Sequence, residues 1–178
     1  MNIANIITLA RLLSVPAVLY CLLHGDMRLA FYIFLFAGLS DAVDGAIARR
    51  FHLQTELGAW MDPIADKLLM VSVFIMLAWL DLIPDWIVFL AVTRDTLIVG
   101  AFLVSTLIGN PIKVAPLMVS KINTVAQVLL VVAVLSHQSF GLGLTTVVTI
   151  LLYLTALLTL ASGASYLVIW MRHVAGSK

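Results

Sequence analysis

Six stretches of apolar sequence, each close to the about 20 residues a helix needs to cross a bilayer's hydrocarbon core, constrain this chain more than any other feature. They run roughly from Ile6 to Leu23, Arg28 to Ala48, Pro63 to Leu80, Trp86 to Ile108, Met118 to Ser136 and Leu144 to Trp170. Short breaks carrying Gly, Pro, His or acidic residues separate them. The expected fold is all-α: a polytopic membrane protein with six transmembrane helices. Only 11% of the 178 residues are charged, against roughly 25% in an ordinary soluble domain. Ten Lys plus Arg against nine Asp plus Glu leave a formal charge of +1, which excludes a basic nucleic-acid binder or an acidic disordered tail. The single cysteine, Cys21, sits in an apolar run with no nearby His or Cys and reads as packing.

The first stretch reads as a retained helix. No basic region precedes it, Arg11 lies inside it, and no small-residue cleavage site follows. Loop charge predicts the orientation. Arg49 and Arg50 follow the second stretch, Lys113 and Lys121 flank the loop after the fourth, and Arg172 and Lys178 follow the sixth. The opposite loops contain only Arg28, next to Asp26, so both termini are expected to be cytoplasmic. At the start of the chain Asn2, Asn5, Thr8 and Arg11 recur every three residues, the pattern of a helical segment lying at the interface. No repeat or long linker divides the sequence, so one domain over residues 1–178 is expected.

Four of the acidic residues form two helically spaced pairs. Asp41 and Asp44 are i, i+3 near the cytoplasmic end of the second stretch; Asp62 and Asp66 are i, i+4 at the start of the third. A short loop makes these helices antiparallel neighbours, so the four carboxylates can converge. At about 1.5 Å per residue, Asp41 lies roughly 12 Å inside the end marked by Arg49, where an unpaired charge costs several kcal/mol. Arg49, Arg50 and Lys67 are candidate partners, but a cluster of oxygen-only ligands suits Mg²⁺ or Mn²⁺ better than zinc or copper. The alternative is that the aspartates cap helices or form salt bridges; Asp62 before Pro63 has the form of an N-cap followed by proline at the first helical position.

The surrounding residues are Asp41, Asp44, Gly45, Ala48 and Arg49, then eight residues to Gly58, then Asp62 and Asp66. This resembles the CDP-alcohol phosphatidyltransferase signature, DxxDGxxARx8GxxxDxxxD, at every fixed position, and with the Asn5, Thr8, Arg11 pattern the resemblance covers essentially the whole chain. The resemblance implies transfer of a phosphatidyl group from CDP-diacylglycerol to an alcohol with release of CMP. It further implies two divalent ions, Mg²⁺ or Mn²⁺, held by Asp41, Asp44, Asp62 and Asp66, with Asp66 as general base. Gly45, Ala48, Arg49 and Gly58 become candidate nucleotide and diphosphate contacts, the small residues allowing close backbone approach; close helix packing is their other reading. A homodimer in a bacterial inner membrane, with the site on the cytoplasmic side, is also expected.

The fourth stretch carries Arg94 and Asp95. The fifth carries Ser120, Asn123, Thr124 and Gln127 at i, i+3, i+4, i+7, a polar stripe expected to face a cavity or to bond to neighbouring helices. Arg94, Lys121 and Asn123 are candidate acceptor contacts. Family members that take glycerol 3-phosphate typically have lysine where this chain has Asn123, and more arginine after the fourth-stretch Arg. The stretches FAGLSDAVDG, DPIADKLL, LIPDW, TRD and SKINTVAQ resemble instead the cardiolipin synthases, whose acceptor is phosphatidylglycerol. Phosphatidylglycerophosphate synthesis is the alternative, and Asn123→Lys is expected to shift preference toward it. From another class, a Mg²⁺ or proton-coupled carrier would also bear intramembrane carboxylates, but near the midplane and usually with repeat symmetry. An inactive scaffold is disfavoured by the complete set of aspartates.

Overall fold

A computed structural model of the chain describes residues 3–51, 56–107 and 117–175, with side chains described at 10–40, 65–101, 103–107 and 117–173. All regular structure there is helical: α1 (Ile3–Leu23), α2 (Met27–Phe51), α3 (Glu56–Trp79), α4 (Asp85–Leu107), α5 (Met118–Phe140) and α6 (Thr145–Ala175). The six helices match the six expected stretches. Among the described residues three helical stretches are long and apolar enough by themselves to cross a membrane, within Asp85–Leu107, Met118–Phe140 and Thr145–His173, and shorter apolar helical stretches run over Ala10–Leu23 and Met27–Ser40.

Two boundaries differ instructively. Of the residues expected to form an interfacial segment before the first span, Asn5, Thr8 and Arg11 lie in the first turns of α1, which is one helix from Ile3, and Asn2 lies outside the described residues. Asp62 is not an N-cap, because α3 begins at Glu56 and carries Asp62 and Pro63 in its interior. The Asp-Pro pair imitates a helix start, yet the residues before it continue the helix.

The chain divides into two compact units. The first comprises Met1–Leu82 and Val131–Leu144, the second Ile83–Leu130 and Thr145–Lys178. In the first unit α1 packs against both α2 and α3. Its buried side chains recur at helical spacing: Val15, Val18 and Leu22 on α1, Ala30, Phe34 and Ala37 on α2, Ala65, Leu69, Val73 and Leu77 on α3. In the second unit α4 packs against α6, and many of the buried groups are polar, among them Arg94, Asn123, Gln127, Thr155, Thr159 and Ser162. Large apolar side chains face outward in both, including Phe36 and Phe89. Polar groups inside and apolar groups outside is the arrangement that lipid favours.

The turns are set by local chemistry. The amide of Asp26 bonds to the carbonyl of Cys21 (2.9 Å) and that of Gly25 to Leu22 (3.2 Å), a Schellman ending in which Gly25 has φ +77°. α3 ends the same way, with Leu82 to Leu77 and Asp81 to Ala78, both 2.9 Å, and Asp81 at φ 56°. Arg28 donates from Nε to the carbonyl of Ser139 (3.0 Å) and lies 6.0 Å from the Phe140 ring centre. It therefore caps the last turn of α5, a structural use of the one cation expected on the non-cytoplasmic side. Gly25→Ala puts a side chain into a left-handed conformation and is expected to cost about 1 kcal/mol, read as a lower thermal midpoint of the purified protein.

Candidate active site and the buried arginines

The aspartate motif lies on the first unit. Asp41 and Asp44 fall on successive turns of α2, and Asp62 and Asp66 on successive turns of α3. The side chains of Asp41, Asp44, Gly45, Ala48, Arg49, Gly58 and Asp62 lie outside the described residues. Asp66 is described. Its carboxylate Oδ1 stands 3.0 Å from Nη1 of Arg11, with the arginine side chain 3% exposed and the aspartate 48% exposed.

This ion pair ties α1 to the motif. Arg11 precedes Val15, Val18 and Leu22 on the buried face of α1, so helix register aims it inward. Sequence alone points to Arg49, Arg50 and Lys67, the cations nearest along the chain, and places Arg11 on an interfacial stripe. The structure corrects that assignment: Arg11 is a buried partner of Asp66. The usable signal was its place within an apolar helix, where a cation must find an anion.

The donor chemistry of the motif fits a hard divalent cation. Two α-helices each carry two carboxylates within about one turn, and every donor is oxygen, as Mg²⁺ and Mn²⁺ require. Asp66 keeps half of its surface open beside Arg11, which leaves a face for a further ligand. Among the described residues no group of three or more His, Cys, Asp or Glu forms a metal cluster; three of the four motif aspartates lie outside that set.

In the second unit Arg94 organises a buried polar network. Its Nε and Nη2 donate to Ser162 Oγ at 3.1 and 2.8 Å, Nη2 also donates to Ser120 Oγ, and Nη1 meets Asp95 Oδ1 at 2.6 Å. The guanidinium lies 5.9 Å from the Tyr166 ring centre. Four of the five guanidinium N–H groups are thereby engaged. Tyr166 Oη accepts from the amide of Leu117 (3.3 Å), and Trp170 Nε1 donates to Ser105 Oγ (3.2 Å). Asn123 is fully buried and accepts at Oδ1 from Thr159 Oγ1 (3.0 Å).

The stripe expected on α5 is three-quarters inward. Ser120, Asn123 and Gln127 serve the interior, whereas Thr124 is exposed and bonds back to the carbonyl of Ser120 (3.1 Å). Lys121 is exposed. A matching stripe runs along α6, where Thr155, Thr159, Ser162, Tyr166 and Trp170 recur at i, i+4, i+7, i+11 and i+15, a signal that hydropathy alone does not pick out. Small hydroxyls are easily discounted among apolar residues, because each can also bond to its own helix. Lysine in place of Asn123 would put a charge where nothing of the side chain is exposed. Asn123→Lys is therefore expected to destabilise the protein by about 3 kcal/mol, measured as thermal denaturation in detergent.

Comparison with known proteins spans both units. The CDP-alcohol phosphatidyltransferase family matches residues 1–172. The chain is 34% identical over 182 residues to the probable cardiolipin synthase (CMP-forming) of Drosophila melanogaster, which covers 93% of this chain and 56% of that protein. It is 34% identical over 181 residues to the cardiolipin synthase (CMP-forming) of Rattus norvegicus, with 93% and 60% covered. It is also 34% identical over 181 residues to the CDP-diacylglycerol–glycerol-3-phosphate 3-phosphatidyltransferase of Bacillus subtilis, with 93% of each covered. The chain thus spans little more than half the length of the two animal proteins. With an unbroken eight-position motif on α2 and α3 and a family match that runs through all six helices, this chain belongs to the CDP-alcohol phosphatidyltransferase family.

Proposed function

We propose that this chain is an integral membrane enzyme that transfers the phosphatidyl group of CDP-diacylglycerol to a glycerol-containing alcohol and releases CMP. The observation that carries the proposal is the aspartate motif on two helices, with Asp66 held against the buried Arg11. The acceptor oxygen forms a bond to the lipid-side phosphorus, the bond from that phosphorus to the CMP oxygen breaks, and the acceptor proton passes to the Asp66 carboxylate. Asp41, Asp44, Asp62 and Asp66 are assigned to two divalent ions, Mg²⁺ or Mn²⁺. Bound there, the metal would neutralise the diphosphate and the charge gathering on the leaving CMP. Arg11 orients Asp66 from α1, and Gly45, Ala48, Arg49 and Gly58 are assigned to the nucleotide and diphosphate.

The favoured acceptor is phosphatidylglycerol, giving cardiolipin. Arg94, Lys121 and Asn123 are assigned to it. Arg94 supports this choice, because its charge already faces Asp95 at 2.6 Å and is better matched to a singly charged phosphodiester than to a phosphomonoester dianion. Glycerol 3-phosphate is the second reading, favoured by the Bacillus subtilis relative. The two separate when each acceptor is offered alone and the lipid product is weighed by mass spectrometry. Cardiolipin is expected; phosphatidylglycerophosphate as sole product would transfer the assignment to the second reading.

The family match across residues 1–172 supports one functional domain. Loop charge supports cytoplasmic termini and a site on the cytoplasmic face of the membrane; the chain is proposed to work as a homodimer in a bacterial inner membrane.

A further inference from the structure

The buried polar residues of the second unit meet in layers between α5 and α6. Ser120 and Ser162 both accept from Nη2 of Arg94. Asn123 and Thr159, next along the two stripes, bond to each other at 3.0 Å. Together with the bond from Leu117 to Tyr166, these pairings run forward along α5 and backward along α6. The turn from Asn123 to Gln127 therefore matches the turn from Thr159 back to Thr155, which makes Gln127 and Thr155 a third layer. It lies about 14 Å along α5 from Met118, close to the middle of a hydrocarbon core about 30 Å thick.

Two atoms in these layers have no partner within the protein. Asn123 and Thr155 are both fully buried, yet Nδ2 of Asn123 and Oγ1 of Thr155 make no hydrogen bond. Exchanging the two ends of the Asn123 amide leaves the same deficit, because only one end meets Thr159. Thr155 also forgoes the bond that a helical threonine can make to the carbonyl four residues back, which Thr149 makes to Thr145 at 2.9 Å. At membrane depth no solvent satisfies such groups from outside, so each is destabilising unless something within the protein meets it. The Asn123 amide donates, whereas the Thr155 hydroxyl both donates and accepts. Gln127 is buried as well, and the buried residues beside this layer in sequence, Ala126 and Ala156, are small.

We infer that Asn123 and Thr155 form the two sides of a binding site for a resident water molecule between α5 and α6. The water accepts from the Asn123 amide and donates to Thr155 Oγ1, with the Gln127 amide as a third partner. Buried waters typically make about three hydrogen bonds, to polar groups that otherwise lack partners, and this set supplies three. The site carries the Arg94 network two turns further into the membrane. It goes beyond the proposed reaction and does not depend on it.

The test is the sign of the stability change in Thr155→Val, which removes the hydroxyl and keeps the shape. The melting midpoint of the purified full chain is expected to fall by about 3 °C, with CMP release unchanged. In an Asn123→Leu background, which has already lost the water, the same substitution is expected to cause no fall. An unchanged or higher midpoint in the otherwise unaltered chain would overturn the site, since removing an orphan hydroxyl is neutral or stabilising. Equal falls in both backgrounds would also overturn it, by giving Thr155 a partner that it does not share with Asn123. A raised KM for phosphatidylglycerol without a fall in midpoint would overturn it too, and assign the layer to the acceptor's hydroxyls. Where either variant fails to fold, a crystal structure of the unaltered chain that resolves water decides. Density within about 3 Å of both atoms is expected, and protein contacts alone at both would contradict the inference.

Discussion

Asp66→Asn is expected to lower CMP release by about a thousandfold, within the range that loss of a general base produces, while the protein remains folded. The amide keeps an oxygen where the carboxylate now faces Arg11 at 3.0 Å, and the site is about half open, so the packing of α1 on α3 has little reason to change. On the proposed assignment, the substitution removes the proton acceptor and one charge of the metal set. The check pairs a turnover assay with a thermal melt. Near-normal turnover by a folded Asp66→Asn protein would remove Asp66 from the chemistry, and a collapsed melt would make it primarily a structural partner of Arg11.

Removal of divalent cations is expected to be as damaging. With a chelator, turnover falls to background; readdition of Mg²⁺ or Mn²⁺ restores it. Metal neutralisation of transferring phosphoryl groups is worth several kcal/mol, more than the remaining cations of this chain can replace. Asp44→Asn is expected to raise the Mg²⁺ concentration for half-maximal rate by at least about tenfold. A rate indifferent to chelation would contradict the assignment of the four aspartates.

Much of this was legible before any coordinates. Apolar length and interrupted hydropathy fix six helices, because a bilayer admits few other solutions, and all six appear with ends shifted by a few residues. The largest shift, at α3, comes from reading Asp62-Pro63 as a start signal when the helix begins at Glu56. Local cap chemistry is ambiguous in a segment long enough to absorb a proline. The aspartate motif was visible because it is dense, charged and spaced by helical turns.

The sequence hid the partners. Arg11 lies 55 positions before Asp66, and nothing in a periodic polar pattern says which side of α1 faces inward. The Arg94 network likewise draws on Ser120 and Ser162, small hydroxyls that a hydropathy reading passes over. Asn123 was legible as polar, but its complete burial against Thr159 follows only from packing. Lone polar residues in apolar helices are therefore best read as halves of pairs whose other half lies on another helix.

The most direct test of the central claim is CMP release by the purified chain, with CDP-diacylglycerol, Mg²⁺ and phosphatidylglycerol or glycerol 3-phosphate, counted against new lipid product. The account predicts metal-dependent CMP release matched one for one by phosphatidyl transfer to an alcohol. No CMP with either alcohol, alongside Mg²⁺ or proton flux through liposomes containing the chain, would contradict it and make the carboxylates those of a carrier.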